Sequence, residues 1–216
     1  MAANPISYEA DYNVEANRLT TFFRLIIVIP WAIWAMLWGI AALVVVFISW
    51  FALLFTARYP QGLYDFVAGF LRLSARVFAY GTLLTDELPS FGGGAEPDYA
   101  VKVDVAAPQE SYHRGKTFFK YFLYFPQYLI ASAMIYVTYA AAFVAWFRIL
   151  FTGKQSITMH EALLVSLAYQ TRSTGFLFLL TEAHPRALEL QRYEPASDDP
   201  GMPPASGGQA VERAGG

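Results

Sequence analysis

Residues 50–60 read W-F-A-L-L-F-T-A-R-Y-P, and residues 146–154 read W-F-R-I-L-F-T-G-K. The shared letters, W-F-x-x-L-F-T, recur at a constant separation of ninety-six positions. In each copy the stretch ends a long apolar run and opens a short polar connection. It therefore predicts both membrane-spanning helices and an internal duplication.

The duplication extends well beyond this stretch. Residues 18–89 align with residues 114–185 without a gap, and 18 of the 72 aligned positions are identical. The identities include both prolines, both tryptophans and an arginine deep in the second helix of each copy, which chance seldom aligns. We interpret residues 18–90 as the first membrane repeat and residues 101–186 as a strand followed by the second repeat. A Gly-rich linker, residues 91–100, joins them.

Composition places the chain in a membrane. It is 56% hydrophobic, 17% aromatic and only 15% charged, against about 25% charged for ordinary soluble domains. No charged side chain occurs from Leu25 to Phe55, whereas about twenty apolar residues suffice to cross a bilayer. We expect a multi-pass protein of the cell (inner) membrane. The net charge of −2 and the absence of cysteine argue against nucleic-acid binding, disulfides and thiolate metal sites.

The first apolar run is too long to be one straight spanning helix. Residues 18–56 would extend about 58 Å, well beyond a hydrocarbon core of about 30 Å. Pro30 should break or kink the helix, so we predict an amphipathic lead-in over 18–29 and a spanning helix over 31–56. A helical hairpin that turns near Gly39 is the alternative.

A second helix follows in each repeat. Residues 62–85 and their counterparts, residues 158–181, are long enough to span a bilayer but carry charged side chains. Whether these two helices span the membrane or lie at its interface stays open at this point.

Short strands are predicted before each repeat. Apolar and polar side chains alternate in residues 6–12 and again in residues 101–105, the pattern of half-buried strands. Since a lone strand exposes unpaired backbone groups, we expect these two strands to pair with each other. The first strand belongs to an N-terminal segment, residues 1–17. Residues 187–216 lack the apolar content needed to fold and are predicted to be disordered.

Two passes in each repeat would give four in all. The predicted fold is thus mainly α-helical and polytopic, with two parallel tandem repeats that point the same way. Lys and Arg cluster beside the termini and the linker, whereas the two inter-helix connections carry only Arg58 and Lys154. The positive-inside rule then places both termini in the cytoplasm.

Several motifs are shared with a known family: N-R-L-T at 17–20, F-R-L at 23–25, W-F-A at 50–52, F-T-A-R-Y-P at 55–60, Arg72, Arg76 and L-T-D at 84–86. With them the sequence resembles the DUF4389 family, bacterial integral membrane proteins of unknown function, in two tandem copies. The resemblance implies membrane location and brings no assigned activity. The second copy departs from the pattern, because Tyr-Pro is missing after Lys154 and Ala168 stands at the position equivalent to Arg72.

A charged stripe is the main candidate for a binding site. Asp65, Arg72 and Arg76 lie at i, i+7 and i+11, one face of the second helix. Such a stripe on a spanning helix should face protein, water or a cavity rather than lipid tails. It could form a buried pair network, contact anionic lipid or line a polar path. The candidate ligand- or lipid-binding residues are Arg58, Asp65, Arg72, Arg76, Glu161 and Arg172.

No pattern points to catalysis. There is no Gly-rich phosphate loop, nucleophile elbow or paired-histidine zinc motif, and we predict no metal and no cofactor. The leading hypothesis is a non-enzymatic scaffold or accessory subunit whose partners are membrane lipids, other membrane proteins or a second copy of itself. It would pair Arg76 and Arg172 with Asp65 and Glu161 in a dry interface. The alternative is a small transporter or channel component in which the two arginines line a polar path.

Overall fold

The computed structural model describes residues 5–184, and the predicted tail at 187–216 lies outside them. Within this range the fold is mainly helical with one small sheet, as expected. Each copy consists of a strand, a long helical stretch and a shorter helix. The elements are β1 (Ile6–Ala10), α1 (Arg18–Ile27), α2 (Ile29–Thr56), α3 (Gln61–Gly81), β2 (Val101–Val105), α4 (Arg114–Thr152) and α5 (Ile157–Leu177).

The two strands pair with each other, which confirms the prediction. They are antiparallel, with Tyr8 opposite Val103 at the centre. Because side chains alternate across a strand, one face of the sheet is apolar and buried while the other is polar. The buried face carries Ile6, Tyr8, Ala10, Val101 and Val103, and the polar face carries Ser7, Glu9, Lys102 and Asp104.

Proline acts differently in the two long stretches. In the first copy α1 ends at Ile27 and α2 begins at Ile29, so that Pro30 occupies the first turn of the new helix, where its missing N–H costs nothing. In the second copy α4 continues through Pro126. The alternative of a hairpin near Gly39 is wrong, since α2 runs through that residue unbroken.

The short helices end four residues earlier than predicted. Leu83 and Leu179 have φ of 69° and 66°, the left-handed conformation that closes many helices. The N–H of Leu84 then reaches back to the Ala79 carbonyl at 2.9 Å, and Leu180 does the same to Gly175 at 3.0 Å. Because the usual signal for this turn is glycine, leucine at both sites hid it from sequence reasoning.

The two copies exchange equivalent contacts. The Trp50 indole donates to the main-chain oxygen of Thr117, and the Trp146 indole donates to that of Thr21. The beginning of each long stretch therefore lies beside the end of the other, so α2 and α4 are antiparallel. Reciprocal contacts of this kind relate the two copies by an approximate two-fold rotation.

This arrangement corrects the predicted topology. The Tyr112 N–H donates to the Ala57 oxygen and the Ala16 N–H donates to the Gly153 oxygen, at 2.9 and 3.1 Å. The connection after α2, which contains Arg58, thus lies beside the segment that leads into the second copy, and we call this the Arg58 end. The connection after α4, which contains Lys154, lies beside the segment that leads into the first copy, and we call this the Lys154 end. Helices that cross a membrane in this arrangement form inverted repeats. The sequence predicted that the helices cross the membrane and that both copies point the same way. In the observed arrangement these two predictions cannot both be true.

The molecule has one polar and one apolar broad face. The strands pack mainly on α3 and α5, with Ile6 against Gly175. Helices α2 and α4 are long and apolar enough to cross a membrane. Within the most apolar eighteen-residue stretch of each, however, only 22% and 17% of the residues are buried. They are therefore not the core helices of a soluble fold. Both helices expose many large apolar side chains along their length, which soluble monomers rarely do.

Candidate functional site

Two of the candidate arginines, one from each copy, bond to the sheet. Arg72 donates through Nε to the Val103 oxygen at 3.3 Å, and Arg172 donates through Nε to the Ile6 oxygen at 3.2 Å. Strand carbonyls that do not face the partner strand need other donors, and these guanidinium groups supply them. They join the strand pair to α3 and α5.

Arg76 holds the linker. Its side chain is 1% exposed, donates to the Gly94 oxygen at 2.7 Å and pairs with Glu96 at 2.8 Å. It also lies over the Tyr99 ring, 5.4 Å from the ring centre. Burial, with a smaller contribution from the Glu87 carboxylate, raises the pKa of the Tyr99 phenol above its ordinary value.

The structure does not bring the other candidates to these arginines. Asp65 is exposed and accepts a hydrogen bond from Gln61 at 2.8 Å, while Arg58 and Glu161 are also exposed. The expected pairing of Arg76 with Asp65 is therefore replaced by pairing with Glu96. Periodicity grouped Arg72 with Arg76 on one face of α3, but the acid that pairs with Arg76 lies in the linker, where helical spacing gives no guidance.

Sequence reasoning gave no role to a buried cation at the Lys154 end. Arg24, on α1, is 2% exposed. Its Nη1 donates to the Tyr80 and Thr85 oxygens at 2.6 and 2.7 Å, and its Nη2 pairs with Asp86. The guanidinium also lies 4.5 Å from the Tyr80 ring centre. It thus occupies the C-terminal turn of α3, where free carbonyls and the helix dipole favour a positive charge.

Lys120 takes the equivalent place at the Arg58 end. It is 4% exposed, donates to the Thr181 oxygen at 2.6 Å and lies 4.6 Å from the Phe176 ring centre. The signal that could have found these sites is the matched spacing. Cation and acid, Arg24 with Asp86 and Lys120 with Glu182, stand sixty-two residues apart in both copies.

The two sites differ in how the acid is used. Asp86 pairs with buried Arg24, whereas Glu182 lies 3.8 Å from Lys116, a side chain that is 63% exposed. In both copies the acid also accepts the main-chain N–H that precedes the long helix, from Asn17 and from His113. The second copy thus leaves its buried cation without a carboxylate in contact among the described residues.

A small cavity accompanies this difference. About 80 Å³ lies open beside Lys120, bordered by Lys116, Glu182 and His184. In the first copy the longer, forked side chain of Arg24 reaches two carbonyls and the acid. The ammonium group is compact by comparison, so Lys120 reaches one carbonyl where Arg24 reaches two carbonyls and the acid.

Comparison with known families agrees with the duplication. A family model described as "Domain of unknown function (DUF4389)" matches residues 18–92 and again residues 114–188. The chain belongs to this family. The two DUF4389 copies are the two halves related by the reciprocal tryptophan bonds. No curated protein and no solved structure matches the chain.

Proposed function

We propose that the protein is a non-enzymatic membrane scaffold that lies embedded from one side of the bilayer. In this arrangement α2 and α4 run along the membrane among the acyl chains, and the polar face of the strand pair points to water. The two-fold axis between the DUF4389 copies then coincides with the membrane normal. Both copies point the same way because neither crosses.

One observation carries this proposal, the position of the strand pair. The strands cover α3 and α5 with Glu9 and Asp104 exposed on their outer face. If the helices crossed the bilayer, these carboxylates and a two-stranded sheet would lie beside lipid tails, where open sheets and isolated charges are very costly. If the helices lie in the membrane plane instead, the sheet and its exposed carboxylates are in water.

The positions of the basic residues support the same orientation. Arg18 lies over Gly153 at the Lys154 end, and Arg114 donates to the Phe55 oxygen at the Arg58 end. Because each end carries basic side chains, the charge bias does not distinguish one end from the other. If both ends lie on one side of the membrane, the positive-inside tendency places that side in the cytoplasm.

Single-cysteine labelling tests the orientation, and the natural chain has no cysteine to interfere. Glu15→Cys marks the Lys154 end, Gln61→Cys marks the Arg58 end and Asp104→Cys marks the sheet. Each is treated with a membrane-impermeant maleimide in intact cells and in inverted membrane vesicles. We expect all three sites to react in the inverted vesicles only.

A fourth position serves as the control for burial in lipid. Met36 is 58% exposed on α2, so Met36→Cys should stay unlabelled in membranes and become reactive after denaturation. Labelling of Glu15→Cys and Gln61→Cys from opposite sides would mean that the helices cross the bilayer as inverted repeats. Recovery of the protein in the soluble fraction would refute membrane embedding altogether.

A further inference from the structure

We propose that the cavity beside Lys120 binds a phosphate group, as carried by the headgroup of an anionic phospholipid. The inference extends the proposed function, since a headgroup site presupposes contact with lipid. The proposed site lies in the second copy and does not include the charged stripe of Asp65, Arg72 and Arg76.

The donors in the cavity are suited to an anion. An ammonium group has three N–H donors, and that of Lys120 has one described acceptor, the Thr181 oxygen. Lys116 and His184 border the same cavity, and Lys116 is largely exposed. Two amines, those of Lys120 and Lys116, border the cavity beside a single carboxylate, that of Glu182, and a bound anion would favour the protonated form of both amines.

Burial distinguishes this cluster from ordinary surface lysines. Lys120 is 4% exposed and held by the Thr181 oxygen and the face of Phe176. Its position is therefore fixed before any ligand arrives, which lowers the entropic cost of binding. A buried ammonium without a carboxylate in contact also gains more from an anion than an exposed one does.

The surroundings favour a lipid headgroup over free phosphate. Leu123 borders the cavity, and Phe119 and Phe122 on the neighbouring turn are 59% and 82% exposed. Cationic donors at the end of a helix, followed along it by exposed apolar side chains, match a molecule with a phosphate at one end and acyl chains at the other.

The first copy supplies the comparison. The Arg24 guanidinium takes the equivalent place and bonds to two carbonyls and Asp86 through its two terminal nitrogens. Replacement of Lys120 by arginine should recreate this closed arrangement with Glu182 as the acid. The charge would stay the same while the open cavity disappears.

The experiment measures binding of soluble short-chain phosphatidylglycerol to the full-length protein in neutral detergent by isothermal titration calorimetry. Relative to the natural protein, we expect affinity to fall by about tenfold or more for Lys120→Met and for Lys120→Arg, and by roughly threefold for Lys116→Met. Lys154→Met removes an exposed charge from the opposite end and should leave affinity unchanged. Short-chain phosphatidylcholine, whose headgroup has no net charge, should bind at least about tenfold more weakly.

The outcomes separate the possible sources. Competition by inorganic phosphate at concentrations comparable with the lipid would overturn the headgroup assignment in favour of a free anion site. Equal binding by all variants, or equal loss with Lys154→Met, would overturn the site itself. Lys116→Met alters an exposed side chain and keeps the test valid if a Lys120 variant unfolds. Cysteine labelling is independent of these measurements, so the orientation can hold while the headgroup site fails.

Discussion

The Trp50 indole donates its N–H to the main-chain oxygen of Thr117 at 3.1 Å, and so joins the end of one long helix to the start of the other. The Trp50 ring also stacks on Phe118, with ring centres 6.3 Å apart. Its counterpart, Trp146, makes the same bond to Thr21 at 3.2 Å. The repeated W-F motif therefore joins the two DUF4389 copies to each other.

Trp50→Phe and Trp146→Phe should destabilise the protein to a similar extent. Each removes one indole N–H and keeps an aromatic ring, so the free energy of unfolding should fall by about 1 kcal/mol. Thermal unfolding in detergent, followed by circular dichroism, measures the change. Trp34→Phe is the control, because the indole of Trp34 bonds to the Phe91 oxygen in an exposed position and its loss should cost less. A large effect of one substitution without the other would contradict the reciprocal arrangement.

Ala57→Gly should stabilise the protein, and Gly153→Ala should destabilise it. These residues close α2 and α4 with φ of 55° and 71°. The left-handed conformation costs a residue with a Cβ about 1 kcal/mol, a cost that glycine avoids. Gly153→Ala should have the larger effect, because its Cβ would come within 2.9 Å of Arg18. If the two substitutions shift the unfolding midpoint by equal and opposite amounts, the contact between the new Cβ and Arg18 adds no cost, contrary to this expectation.

The sequence predicted the elements of each copy better than the relation between copies. Period-two alternation identified both strands, and the apolar run with Pro30 identified α1 and α2. A gapless alignment establishes that Trp50 and Trp146 are equivalent, but it contains no information about which residues touch. The bonds to Thr117 and Thr21 depend on tertiary packing. It is these bonds that show the long helices to be antiparallel.

The candidate site was predicted only in part, for a related reason. Helical spacing correctly grouped Arg72 with Arg76 on one face of α3. Their partners, the Val103 oxygen and Glu96, belong to a strand and to the linker, where spacing along α3 gives no guidance. Lys120 escaped notice because its burial depends on the C-terminal turn of α5, closed by Leu179 rather than by glycine.

Arg76→Met should destabilise the fold strongly. Removing the cation leaves the Gly94 oxygen without this donor and Glu96 with only the hydroxyl of Ser90, and loss of one member of a buried pair typically costs about 3 kcal/mol. Glu96 is 32% exposed, so water offsets part of that cost and Glu96→Gln should have a smaller effect. Thermal unfolding of both variants, with exposed Arg58→Met as the matched control, provides the test. If Arg76→Met unfolds at the same temperature as the natural protein, this arginine does not hold the linker.

Gly93→Ala should separate the linker from α3. A Cβ on Gly93 would lie 2.6 Å from backbone atoms of Gly69, a contact that only a backbone shift can relieve. Overpacking of this kind costs about 2 kcal/mol, and the displaced linker would also pull the Gly94 oxygen away from Arg76. The neighbouring substitution Gly94→Ala is the matched control, because its Cβ would meet no atom within 4 Å. Limited proteolysis at the linker, together with the unfolding midpoint, should show faster cleavage and lower stability for Gly93→Ala alone. Equal behaviour of the two variants would mean that the linker does not pack against α3 at Gly69.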